Sequence, residues 1–151
     1  MNVYKKFAYL YVKGRYSHFS EKMAEILPTI FENFNVQPQR ILDIACGEGT
    51  FAVEMAKRGF QVVGVDISKE MLKFAEEKAK NENVNVKFIC RDMRSLDFDR
   101  EFDLATCWFD SLNYLLTLEE LEKAFAGVYK ALKEEGLFIF DMNTKYGLAV
   151  G

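Results

Sequence analysis

From Arg40 onward, apolar residues alternate between short continuous runs and longer stretches in which they recur every three or four positions. The runs, about 40–46, 60–66, 86–90, 102–108 and 137–140, predict strands buried on both faces. The intervening stretches predict amphipathic helices. One starts at Thr50 and runs to about Arg58, closed by Gly59. A second is capped by Ser68, with Glu70 in its first turn and Met71, Leu72 and Ala75 facing inward. A third opens with the capping box Thr117-Leu118-Glu119-Glu120, carries Leu118, Leu121, Phe125, Val128 and Leu132 on one face, and ends at Gly136. This alternation predicts an α/β chain: a Rossmann-like parallel sheet of about five strands with helices on both faces.

Residues 1–39 follow another pattern. Tyr4, Phe7, Tyr9, Tyr11 and Tyr16 surround Lys13-Gly14-Arg15, and Ser20 is placed to cap a helix bearing Met23, Ile26, Leu27, Ile30 and Phe34. Pro28 lies inside that helix and is expected to kink or interrupt it. The segment reads as an N-terminal helical lid, and residues 40–151 as the core of one domain. After the fifth strand only a short tail remains. A bare apolar edge invites pairing, so either a chain shortened at its C-terminus or a homodimer through the strand 5 edge would account for it.

With 151 residues, half of them hydrophobic, the chain is expected to form one globular domain. Its 20 basic and 23 acidic residues are dispersed, which argues against nucleic acid as a partner. Three distant cysteines without a C-x-x-C pair argue against a disulfide framework or a metal site and for reduced thiols. No leader-like or 18-residue apolar stretch occurs, so no membrane partner and a cytoplasmic location are expected.

The candidate chemistry gathers where the first strand ends. In Ile41-Leu42-Asp43-Ile44-Ala45-Cys46-Gly47-Glu48-Gly49-Thr50 an apolar run reaches a carboxylate, breaks at two glycines and resumes as a helix. Glycine at 47 and 49 permits positive φ and close approach of backbone to a ligand. Three further carboxylate features follow successive strands: Asp66, Asp92-Met93 and Trp108-Phe109-Asp110-Ser111. Any one of them is equally a turn former or helix cap. Together, at the carboxyl ends of neighbouring strands, they predict one crevice. Asp66 suits two vicinal ribose hydroxyls, Asp92 an adenine amine with the Met93 N–H on a ring nitrogen, and Ile67 and Met71 the faces of a flat ring. Asp43 below the glycine turn would repel a pyrophosphate but suits an ammonium group.

These stretches, with Phe102-Asp103, resemble the class I S-adenosylmethionine-dependent methyltransferases, nearest the branch with sugar and amino-acid N-methyltransferases. The resemblance covers about residues 40–143. It departs at Ala45, where many members have glycine, and in lacking the antiparallel hairpin that completes the family sheet. It implies S-adenosyl-L-methionine as cofactor and methyl transfer to a small-molecule acceptor. It also implies that Ala45, Gly47 and Gly49, with Cys46 between them, pass close to the methionine portion. Asp66 would take the ribose, Asp92 and Met93 the adenine, and Phe109 with Asp110 would border the sulfonium. Arg15 or Tyr16 would close over the methionine carboxylate.

No catalytic residue is assigned. His18, the only histidine, is read first as an exposed residue at a helix start and otherwise as a base carried by the lid. Asp110, Asn113 and Tyr114 fall where acceptor contacts would lie. Two other functions fit parts of the pattern: a cofactor-binding module without activity of its own, and a nicotinamide-dependent oxidoreductase using Gly47-x-Gly49-x-x-Ala52 as a phosphate turn.

Overall fold

The computed structural model describes residues 19–108 and 117–141. In chain order these form α1 (Phe19–Asn33), β1 (Arg40–Ile44), α2 (Thr50–Lys57), β2 (Gln61–Asp66), α3 (Lys69–Asn81) and β3 (Lys87–Cys90). A short 3-10 turn (Met93–Ser95), β4 (Phe102–Cys107), α4 (Leu118–Ala131) and β5 (Leu132–Phe140) follow. The five strands pair in the order β3-β2-β1-β4-β5, all parallel. The order reverses at β1, and such a switch point opens a crevice outside the carboxyl ends of the strands.

Alternate residues of each strand feed two cores, which is why the strands read as unbroken apolar runs. Ile41, Val62, Leu104 and Ile139 join Met23, Leu27 and Phe31 of α1 and Phe51 and Met55 of α2 on one face. Leu42, Val63, Ala105 and Phe138 join Val128 and Ala131 of α4 on the other. Helix ends follow local chemistry. Gly59 takes φ 98° and donates its N–H to the Ala56 carbonyl, closing α2. Ser68 accepts the Met71 N–H through its hydroxyl, and Thr117 accepts that of Glu120.

Several expectations are corrected. α1 runs through Pro28 without interruption. The loss of one helical donor is outweighed by burial of Met23, Ala24, Leu27 and Phe31 against the sheet. The buried stripe therefore includes Phe31, while Ile26 and Phe34 are exposed. Ser20 is the second residue of α1 and buried, not a cap. Met23, Ala24, Leu27 and Phe31 of α1 pack into the core of the sheet's first face; residues 1–18 of the expected lid lie outside the described residues. α4 ends at Ala131, five residues before Gly136, and Leu118 is exposed. Leu132 already pairs with Phe102, and the next partners are Leu104 and Leu137, so residues 133–136 form a bulge in β5. Glu135 takes positive φ there, and a Cβ on Gly136 would lie 3.0 Å from the Lys133 carbonyl oxygen. β5 is the outer strand on its side of the sheet among the described residues. No helix among these residues is long and apolar enough to cross a membrane.

At the amino end of the sheet, Asp103 Oδ2 accepts the N–H groups of Gln39 and Arg40, each at 2.9 Å, while Lys133 Nζ stands 3.5 Å from Oδ1. This carboxylate anchors the entry of β1 to β4. Asp103→Ala is expected to cost about 1–3 kcal/mol in urea unfolding, and Asp103→Asn, which keeps one acceptor, less.

Candidate functional site

β1 delivers Asp43 to its penultimate position, where it is flanked by Gly64 of β2 and Thr106 of β4. Asp43 is 2% exposed, and its Oδ1 accepts the Thr106 hydroxyl at 2.8 Å. Burial pushes this carboxyl up to about 7; the Thr106 hydrogen bond works in the opposite direction, and the nearby Asp66 carboxylate adds to the rise. A group so poised gains from a cation brought beside it.

The chain then turns sharply. Ala45, Gly47 and Gly49 all take left-handed backbone, with φ of 56°, 57° and 83°. The Cys46 N–H still bonds to the Val65 carbonyl, so the turn leaves directly from the sheet. Its two glycines serve different ends. Among the described residues a Cβ on Gly47 would meet nothing within 4 Å, so its backbone is open on that side. A Cβ on Gly49 would fall 2.8 Å from Ala75 Cβ and 3.2 Å from the Phe88 ring, so this glycine is required where α2 starts against α3. Gly64 is demanded likewise by Cys46 Sγ and the Phe88 ring, each 2.9 Å from its would-be Cβ. Burial first, then the Asp43 and Asp66 carboxylates, push the Cys46 thiol far above its ordinary range, which removes it as a thiolate nucleophile.

Asp66 ends β2 and holds the turn in place. Its Oδ1 accepts the Gly47 N–H at 3.0 Å and its Oδ2 the Ser68 N–H at 2.9 Å. One lone-pair direction on each oxygen remains available. Beside it Ile67 is 68% exposed and Met71 45% exposed, an apolar pair with no core role. Met71 thus does not face inward with Leu72 and Ala75, which are buried. Lys78 of α3 reaches back to the turn, donating to Thr50 Oγ1 at 2.8 Å, with Glu48 Oε1 at 3.9 Å.

After β3, Asp92 caps the 3-10 turn that contains Met93. Both its oxygens are engaged by Arg94, whose Nη1 also donates to Glu120 of α4. The Arg94 guanidinium, foremost, holds the Asp92 carboxyl below its ordinary range. The Arg91 N–H bonds to the Asp66 carbonyl at 2.9 Å, so the ends of β2 and β3 stay side by side. The structure therefore brings Asp43, Ala45, Cys46, Gly47, Gly49, Asp66, Ile67 and Met71 to the carboxyl ends of β1 and β2, with Asp92 and Met93 following β3. Arg15, Tyr16, His18, Phe109, Asp110, Asn113 and Tyr114 lie outside the described residues. Thr106, Lys78 and Arg94 escape sequence reasoning. Thr106 alone left a signal, as the one hydroxyl in an apolar strand.

Two predictions follow from this geometry. Gly47→Ala and Gly49→Ala both place a side chain in left-handed backbone, at about 1–2 kcal/mol. Gly49→Ala adds overpacking of about 1–3 kcal/mol against Ala75 and should show the clearly larger loss in thermal unfolding. For Asp43, the folded state keeps a proton that the unfolded chain has already released between its ordinary 3.8 and about 7. Stability therefore falls as pH rises through that window. Asp43→Asn should be nearly neutral at pH 4 and stabilising at pH 8, by on the order of 4 kcal/mol, in chemical unfolding at the two pH values.

Comparison with known proteins agrees with this arrangement. Residues 41–136 match the family described as methyltransferase domain. A protein of Geobacillus sp. (strain WCH70), named as a methyltransferase, is 38% identical over 95% of this chain and 58% of its own length. The crystal structure of an S-adenosylmethionine-dependent methyltransferase from Clostridium acetobutylicum superposes with a TM-score of 0.80 at 34% identity, covering 87% of this chain and 53% of that one. An S-adenosylmethionine-bound amino pentose methyltransferase of Micromonospora echinaspora superposes with a TM-score of 0.65 at 26% identity, covering 82% of this chain and 53% of its own. The chain spans somewhat over half the length of these proteins. Its glycine turn, its strand order and these matches place it together: the chain belongs to the class I S-adenosylmethionine-dependent methyltransferases.

Proposed function

We propose that the protein binds S-adenosyl-L-methionine at the carboxyl ends of β1, β2 and β3 and carries out methyl transfer to a small-molecule acceptor. The observation that carries the reading is the pairing of an open Gly47 backbone with the Asp66 carboxylate and the exposed Ile67 and Met71 beside it. A ribose diol needs an acceptor with free lone pairs, and an adenine ring needs an apolar face; both stand at the end of β2. Asp43, a buried carboxyl near neutrality, is suited to compensate the positive amino-acid end of the cofactor. Cofactor and residues therefore fit.

The bound cofactor supplies an activated methyl group on sulfur; the protein's own part is to bind, orient and exclude water. Displacement at that carbon requires the acceptor atom in line and at near-attack distance, so the main catalytic demand is positioning. The amino pentose acceptor of the Micromonospora enzyme makes an amine on a small metabolite the first class to test here. Arg15, Tyr16, Phe109 and Asp110 are the proposed closure around the methionine end and the sulfonium.

Titration calorimetry with S-adenosylmethionine, S-adenosylhomocysteine and NAD tests the cofactor, and product formation across amines and phenols tests the reaction. Binding of NAD in preference to both adenosyl ligands would sink the proposal, and adenosyl binding without turnover of any acceptor would reduce the chain to a binding module. Asp66→Ala removes the ribose acceptor and unties the turn at Gly47. It is expected to weaken S-adenosylhomocysteine binding by roughly tenfold to several-hundredfold.

A further inference from the structure

Arg94 folds back on the residue two positions before it. Asp92 Oδ1 accepts the Arg94 backbone N–H at 2.8 Å and its Nε at 3.0 Å. Oδ2 accepts Nη2 at 2.6 Å and stands 3.2 Å from Nε. Nη1, the last guanidinium nitrogen, donates to Oε2 of Glu120, whose backbone N–H closes the cap of α4 on Thr117. One side chain thus joins the corner after β3 to the first turn of α4.

A carboxylate offers two acceptor directions on each oxygen. Both directions on Oδ1 are filled by near-ideal donors. Oδ2 has one strong donor, and its second direction is shared only with the longer Nε contact. A planar guanidinium fixes the rotation of the carboxylate as well as its charge, whereas an ammonium would fix the charge alone. Glu120 holds the guanidinium from its far side. The least engaged acceptor direction of Asp92 is therefore on Oδ2, on a corner that Arg91 ties to the end of β2 beside Asp66.

We propose that Arg94 is a positioning residue for the purine end of the cofactor: it fixes Asp92 so that Oδ2 accepts the exocyclic amine of a 6-aminopurine and repels the carbonyl oxygen of a 6-oxopurine. The inference rests on the S-adenosylmethionine reading above. An acceptor whose rotation is fixed and whose charge is favoured by the guanidinium suits an amine better than a carbonyl, so selectivity for the amine depends on Arg94 as well as on Asp92. Sequence spacing gives no hint of this, because an arginine after a turn reads as plain surface.

The test uses S-adenosylhomocysteine and its inosine counterpart, which exchanges the purine amine for a carbonyl. Each is titrated calorimetrically into the full chain as parent, Arg94→Ala and Arg94→Lys. The parent is expected to prefer the adenosine ligand by about tenfold or more. Arg94→Ala should weaken that ligand about tenfold and the inosine ligand less than about threefold, narrowing the preference. Arg94→Lys, which keeps the charge without the planar fork, should recover only part of it. Equal losses for both ligands in Arg94→Ala, or a preference unchanged in Arg94→Lys, overturn the positioning role while leaving the cofactor reading intact. A parent that binds neither ligand overturns both.

Discussion

Two backbone N–H groups, Gly47 and Ser68, end on the carboxylate of Asp66. That shared acceptor holds the geometry of the crevice, because it fixes the glycine turn after β1 to the start of α3 after β2. Without it the turn, with three odd-numbered residues in left-handed backbone, would keep the Cys46 N–H on the Val65 carbonyl but lose its link to the start of α3. A carboxylate accepting two amides is well suited to the task, since charge-assisted hydrogen bonds are stronger than neutral ones and the second lone pair on each oxygen stays free for a ligand. The structural use of this side chain thus leaves room for the ribose contact proposed above.

The fold from Arg40 to Phe140 is legible because β1, β2, β4 and β5 send buried side chains to both faces, the edge strand β3 is half-buried, and each helix buries one stripe, so hydrophobic spacing separates them. The caps at Ser68 and Thr117 and the stop at Gly59 are local chemistry and were equally readable. What spacing does not register is tertiary compensation. Pro28 looks like a break, yet four buried neighbours carry α1 through it. Gly136 looks like a helix stop, but Leu132 already pairs with Phe102, and the glycine relieves a bulge inside β5 instead.

The site divides in the same way. Gly47, Asp43 and Asp66 announce themselves by position at strand ends. Met71 shows the limit, since the same helix face serves the core at Leu72 and Ala75 while the methionine turns outward. The partners that tune these groups come from remote parts of the chain. Thr106 reaches Asp43 across β1 and β4, 63 positions away, and Glu120 meets Arg94 across 26. Only strand order and helix docking create those meetings.

Gly49 carries a last consequence. The distance between the first turn of α2 and the body of α3 is metered by its missing side chain, with Ala75 pressed into the gap. Any larger residue would push the whole of α3 outward, carrying Ser68 and Met71 along. The width of the crevice is in this sense gauged on the reverse side of a helix, by a hydrogen where any other residue carries a carbon.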